Sequence, residues 1–171
     1  VLDLAYLYGT QGRYRIAENL YKSCQKILEE AYGTAHPDLA YIKSDIAWIY
    51  FKEAKYQIAE ELYKSSLEMR KRILGPEHPD VARSFHELAE LCHKLERYDE
   101  AEKYNEQGLA IRRQLFGTNI SVDLATSLFY SAMLFCSKGD YAQALRLQEE
   151  AMSNLEKILG PSHPKGRRIF L

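Results

Sequence analysis

Gly75-Pro76-Glu77-His78-Pro79-Asp80-Val81-Ala82 has an earlier counterpart in Gly33-Thr34-Ala35-His36-Pro37-Asp38-Leu39-Ala40. Worn versions begin at Gly117 and Gly160, so the four glycines lie 42, 42 and 43 residues apart. A fixed period of this length marks a helical solenoid, in which each unit buries its apolar face only against its neighbours. Function is therefore expected on a surface assembled from several units and need not involve a catalytic pocket.

Other positions keep the same register. Tyr14, Tyr56, Tyr98 and Tyr141 recur at this spacing, as do Ala17, Ala59, Ala101 and Ala144, and Ala5, Ala47, Ala89 and Ala132. The fourth unit carries its extra residue between Gly117 and Ala125, where a loop absorbs it without turning an apolar face. Each full unit reads as two helices. Pro37 suits a first helical turn, and Leu39, Ile42, Ile46, Ile49 and Tyr50 follow at helical spacing. Lys52-Glu53-Ala54-Lys55 makes the turn, and Tyr56, Ala59, Leu62, Tyr63, Ser66 and Leu67 line the partner helix up to Gly75. Ala47 and Ala59 are short enough for close helix approach, with Tyr50 and Tyr63 filling the space beside them.

The expected architecture is all-α, a right-handed solenoid of antiparallel helix pairs forming one domain over 1–171. Its units are 1–33 (partial), 34–75, 76–117 and 118–160, with a further helix starting in 161–171. Both ends read as cut within a unit, as expected of an excerpt from a larger protein. A 46% hydrophobic composition supplies a continuous core, and a net charge of −1 argues against a protein that coats nucleic acid or acidic membrane. No stretch approaches the ~20 apolar residues of a membrane span, and no signal peptide is visible. Cys24, Cys92 and Cys136 follow no metal-ligand spacing and read as reduced core or semi-buried thiols in a cytoplasmic protein.

With Leu74-Gly75-Pro76-Glu77-His78-Pro79-Asp80-Val81-Ala82, Tyr56 with Ala59-Glu60, and Leu67-Glu68-Met69-Arg70, the chain resembles the 42-residue class of tetratricopeptide repeat. It is similar in style to kinesin light chain and nephrocystin-3-like proteins. The resemblance covers nearly the whole chain and implies a right-handed superhelix whose first helices line a concave groove that takes a peptide or partner helix. The kinesin light chain pattern Leu-Asn-Asn-Leu-Ala reads here Lys43-Ser44-Asp45-Ile46-Ala47, Phe85-His86-Glu87-Leu88-Ala89 and Leu128-Phe129-Tyr130-Ser131-Ala132.

Placed on that lining, the second unit presents Tyr41, Ser44, Asp45, Trp48, Phe51 and Lys52. The third presents Arg83, His86, Glu87, Glu90, His93 and Lys94, and the flanking units add Asp3, Tyr6, Thr126, Phe129, Tyr130 and Met133. Asp3, Asp45, Glu87 and Glu90 favour a ligand carrying Lys or Arg, while Trp48, Phe51, Phe129 and Tyr130 supply apolar area. The expected partner is a basic peptide or helix with large apolar anchors, bound by an adaptor or scaffold. The competing expectation is an architectural segment that self-associates as a homo-oligomer through helix ends or the convex surface.

Other chemistry finds little support. His36, His78 and His163 lie one or two units apart, and each step spans two helix packings of roughly 8–10 Å, too far for shared metal ligation. Each His-Pro instead closes a connector and opens the next helix, with Asp38 or Asp80 near a helix N-terminus. His86 and His93, two turns apart, are candidates for a pH-sensitive contact. Arg70-Lys71-Arg72 and Arg112-Arg113 are expected to solvate the outer ends of second helices. No Gly-rich phosphate loop, His-Glu-x-x-His segment or Gly-x-Ser-x-Gly elbow occurs, so neither enzyme activity, cofactor, metal nor small-molecule substrate is expected.

Overall fold

A computed structural model describes residues 1–116 and 121–159, without the side chains of residues 116, 158 and 159. These residues form eight helices and, among them, no strand: α1 (Leu2–Thr10), α2 (Tyr14–Tyr32), α3 (Pro37–Lys52), α4 (Tyr56–Leu74), α5 (Pro79–Lys94), α6 (Tyr98–Phe116), α7 (Val122–Lys138) and α8 (Tyr141–Leu159). The second helices begin at the four recurring tyrosines, so the sequence period is the period of the helix pair. The fold is an all-α repeat of antiparallel helix pairs. Of the stretch between Gly117 and Ala125 that carries the extra residue, 117–120 lie outside the described residues, as do 160–171 with the further helix.

Local chemistry sets the helix boundaries. His36 is extended at the N-cap of α3, and its Nδ1 accepts the Asp38 N–H at 3.2 Å, while Pro37 occupies the first turn. His78 does the same for Asp80, also at 3.2 Å. The histidines are thus helix caps, and the aspartates stand where the helix dipole favours negative charge. Each turn between paired helices passes through a left-handed residue: Gly12, Ala54, Glu96 and Gly139, at φ 76°, 59°, 59° and 83°. The following N–H then reaches back to a carbonyl five residues earlier, as in Lys55 N–H to Tyr50 O at 2.9 Å.

Two compact units divide the chain within α5, Val1–Leu91 and Cys92–Leu171. In the first, Ala5, Ala17, Tyr21, Ile42, Ile46 and Ile49 form a core flanked by Tyr8, Trp48, Tyr50 and Leu62. Ala47 and Ala59 are fully buried, and Ser66 on α4 donates to the Ala40 carbonyl of antiparallel α3 at 2.7 Å. In the second, Leu109, Leu124, Leu128, Ala132, Ala144, Leu147 and Ala151 build the main core with Phe129 and Phe135 packed on it. A smaller cluster joins Cys92, Ala101 and Leu134 with Tyr104 and Tyr130.

Two sequence expectations need correction. Arg70 does not solvate an outer helix end; it is 1% exposed, because α4 turns it inward onto Tyr41 and α5. Arg112 is likewise half-buried. Cys136 is an exposed thiol rather than a core or semi-buried one, since it lies in the last turns of α7 away from the packed face.

Candidate functional site

In the first unit, most of the polar residues expected to meet a ligand meet one another. Glu87 of α5 accepts from the Ser44 hydroxyl of α3 at 2.7 Å, from Arg70 Nη1 of α4 at 3.3 Å and from Arg83 Nε at 3.2 Å. Arg70 Nη1 also donates to the Ser84 hydroxyl at 2.5 Å, and its guanidinium lies 4.8 Å from the Tyr41 ring centre. The Tyr41 hydroxyl donates to Asp80. Burial, reinforced by that carboxylate, pushes the Tyr41 phenol up to about 12.

Asp45 lies within electrostatic reach of this network. Burial pushes its carboxyl upward and the neighbouring Glu87 adds to the push, while a hydrogen bond from Tyr21 and the charges of Arg83 and Arg70 oppose it. Burial pushes the Tyr21 phenol well above the usual tyrosine range, with Asp45 adding to it. Ser44, Asp45 and Glu87 therefore serve first as cross-helix ties. An incoming cation has to displace Arg70 or Arg83 to reach Glu87.

Glu90 and Asp3 are different. Both are exposed, and neither is held by a hydrogen bond or ion pair among the described residues. The aromatic members divide in the same way. Trp48 is half-buried and rests on the α1 backbone: a Cβ added at Gly9 would lie 2.9 Å from its Cζ3. Tyr6 stays exposed, its ring centre 6.4 Å from that of Trp48. The Lys52 ammonium lies 5.6 Å from the Trp48 ring and 5.5 Å from the Phe51 ring, within cation–π range, and Phe51 meets Tyr56 edge-on at 5.8 Å. His86 is half-buried and Arg83 reaches solvent.

The second unit presents a largely uncharged face. His93 lies 3.2 Å from the Ser137 hydroxyl, with the Tyr98 and Tyr130 rings at 5.5 Å and 6.2 Å. Phe129 and Tyr130 are half-buried on the two cores, whereas Met133, Thr126 and Lys94 are exposed. At the turn, Lys138 bonds Asp99 at 3.0 Å and Glu102 at 2.5 Å, which raises its ammonium to about 12.

Sequence reasoning missed Arg70 and Ser84, which organise the first unit's network, and Arg112 and Ser127, which repeat the same bond in the second. The signal was available: the arginines lie 42 residues apart and the serines 43, the spacing of the repeat itself. Among the described residues, no group of three His, Cys, Asp or Glu is placed to hold a metal ion, and no helix is long and apolar enough to cross a membrane.

One tetratricopeptide repeat family model matches residues 1–72 and 51–114, and a second matches residues 131–165. The chain belongs to the tetratricopeptide repeat family. Among solved structures, BtubC (BKLC) from P. vanneervenii is 28% identical with a TM-score of 0.82, over 94% of this chain and 63% of that one. The putative kinesin light chain repeats of Podosopora anserina are 24% identical at a TM-score of 0.77, over 96% of this chain and 78% of theirs. A Rap protein complexed with Competence and Sporulation Factor is 17% identical at 0.75, over 91% of this chain and 42% of its own. These likenesses carry the fold, and the chain spans less than two thirds of the BtubC length. No curated protein matches it.

Proposed function

We propose that the chain is a non-catalytic interaction module that binds a peptide or helix of a partner protein on its first-helix faces, as part of an adaptor or scaffold. The observation that carries this reading is that the first helices of one unit hold both uncommitted carboxylates, Asp3 and Glu90, and the exposed ring of Tyr6 beside the half-buried ring of Trp48. Such a surface suits a basic segment with an apolar anchor, because the carboxylates steer and orient while aromatic area supplies affinity. A Rap protein of the same fold is found in complex with Competence and Sporulation Factor, which supports reading this architecture as a binding surface. We place the module in the cytoplasm, consistent with three cysteines that form no disulfide.

The network in the first unit narrows the acidic contribution to Asp3 and Glu90, since Asp45 and Glu87 already hold internal partners. The test is selection from a proteome-derived peptide library against the wild type and an Asp3→Lys, Glu90→Lys double variant, with helicity checked by circular dichroism. Basic peptides bearing large apolar residues are expected for the wild type and lost in the variant. Selection that ignores the reversal overturns this reading.

A further inference from the structure

The same bond joins successive units of the repeat twice. Arg70 on α4 donates from Nη1 to the Ser84 hydroxyl of α5, and Arg112 on α6 donates from Nη1 to the Ser127 hydroxyl of α7. In the first unit the charge is answered within the chain, by Glu87 at 3.3 Å. Three residues after Ser84 stands Glu87, but three residues after Ser127 stands Tyr130. The second unit therefore keeps the arginine and its serine and loses the carboxylate.

The consequence is a half-buried guanidinium whose single hydrogen-bond partner among the described residues is a hydroxyl. Asp123 acts on it from beyond ion-pair distance, and burial draws the group below the usual arginine range. A buried charge without a counter-ion is costly, and an anion arriving there recovers part of that cost. Nη1 is committed to Ser127, so among the described residues Nε and Nη2 remain without a partner. These two atoms form the edge of the guanidinium that grips a carboxylate with two parallel bonds. In Arg70 the same edge is sealed from solvent and without a partner, so a ligand cannot reach it. Arg112, by contrast, is only half-buried.

We propose that Arg112, backed by Ser127, is a docking point for a glutamate or aspartate side chain of the partner polypeptide. The partner supplies in trans the carboxylate that Glu87 supplies in cis one unit earlier. This goes beyond the basic-segment reading and rests on it only in taking the carboxylate from a partner polypeptide.

The test uses the whole chain with 15N-labelled arginine and follows the side-chain Nε–H signals, that of Arg112 being assigned by its loss in Arg112→Lys. The probe is the capped peptide acetyl-Glu-Glu-Glu-amide at constant ionic strength, with inorganic phosphate and sodium chloride as separate arms. The Arg112 signal is expected to shift saturably with the peptide while that of Arg70 stays still. Tyr130→Glu, which restores the internal carboxylate, should weaken the response about tenfold, the worth of one charged hydrogen-bond pair, and Tyr130→Phe should leave it unchanged. The proposal is overturned by a still Arg112 signal, by an equal response to chloride, by a response to phosphate alone, or by a Tyr130→Glu variant that responds as the wild type does. The measurement does not depend on the library screen, so failure of the basic-segment reading and failure of this one are seen separately.

Discussion

Arg70 and Arg112 occupy one position of the repeat, and their surroundings show how a repeat varies charge while keeping its frame. Both reach across to a serine of the next first helix. Arg70 is sealed beneath Tyr41 and neutralised by Glu87, so that Ser44, Arg83 and Glu87 close into a network tying α3, α4 and α5. Arg112 keeps the tie but not the neutralisation. The helix pair is thus fixed by apolar and small residues common to all units, and polar residues at the joint are free to become structure in one unit and a binding surface in the next.

The largest expected effect breaks this comparison at its centre. Arg70→Met strips Glu87 and Ser84 of their shared partner and should cost about 3 kcal/mol in urea unfolding, as removal of one member of a buried pair does. Arg112→Met should stay within about 1 kcal/mol of the wild type, because it removes a charge that burial already disfavours. Equal losses at the two sites would erase the distinction.

Next comes the contrast between Trp48 and Met133, which share a repeat position. Gly9→Ala drives a methyl group into the Trp48 ring and should cost about 1–3 kcal/mol with a visible change in tryptophan fluorescence. Met133→Ala, at an exposed side chain, should change stability by no more than about 0.5 kcal/mol. A silent Gly9→Ala would mean that Trp48 does not anchor α3 to α1.

The turns give a third comparison. Gly12 and Gly139 adopt the left-handed backbone at no steric cost, whereas Ala54 and Glu96 do so with a Cβ. Ala54→Gly and Glu96→Gly should each stabilise the fold by about 1 kcal/mol, and Gly12→Ala or Gly139→Ala should cost a similar amount. Thermal unfolding of the four variants checks the pattern, which opposite signs would refute.

The smallest effect is confined to a pH window. Burial raises the Asp45 carboxyl above its unfolded value, so the folded chain binds more protons than the unfolded one between the two. Asp45 therefore draws stability down as pH rises through that window, and the deficit persists at neutral pH. Asp45→Asn, which can still accept from Tyr21, should be more stable than the wild type at pH 7 and equal to it below the carboxylate range. A variant less stable at pH 7 would show that ion pairing, not burial, governs the site.

The frame of this molecule was legible because it is written four times. Tyr14, Tyr56, Tyr98 and Tyr141 mark the starts of α2, α4, α6 and α8, and the His-Pro dipeptides mark the starts of α3 and α5. The partnerships of the charged residues were not, because they depend on distance across helices and not on periodicity. Glu87 reads as a ligand-facing carboxylate until Arg70 is seen to come from α4, and Arg70 reads as a solvated helix end until its burial is known. Ala54 and Glu96 hid the left-handed turn that Gly12 and Gly139 announce.

The central claim, that function lies on the first-helix faces, is tested most directly by photocrosslinking. A peptide selected by the wild type is presented to four variants carrying one photoreactive residue each, at Glu90 of α5, Met133 of α7, Glu61 of α4 or Lys103 of α6, all exposed positions. Crosslinks mapped by mass spectrometry are predicted from Glu90 and Met133 and not from Glu61 or Lys103. Crosslinks concentrated at Glu61 and Lys103 would place binding on the second-helix surface and contradict the account.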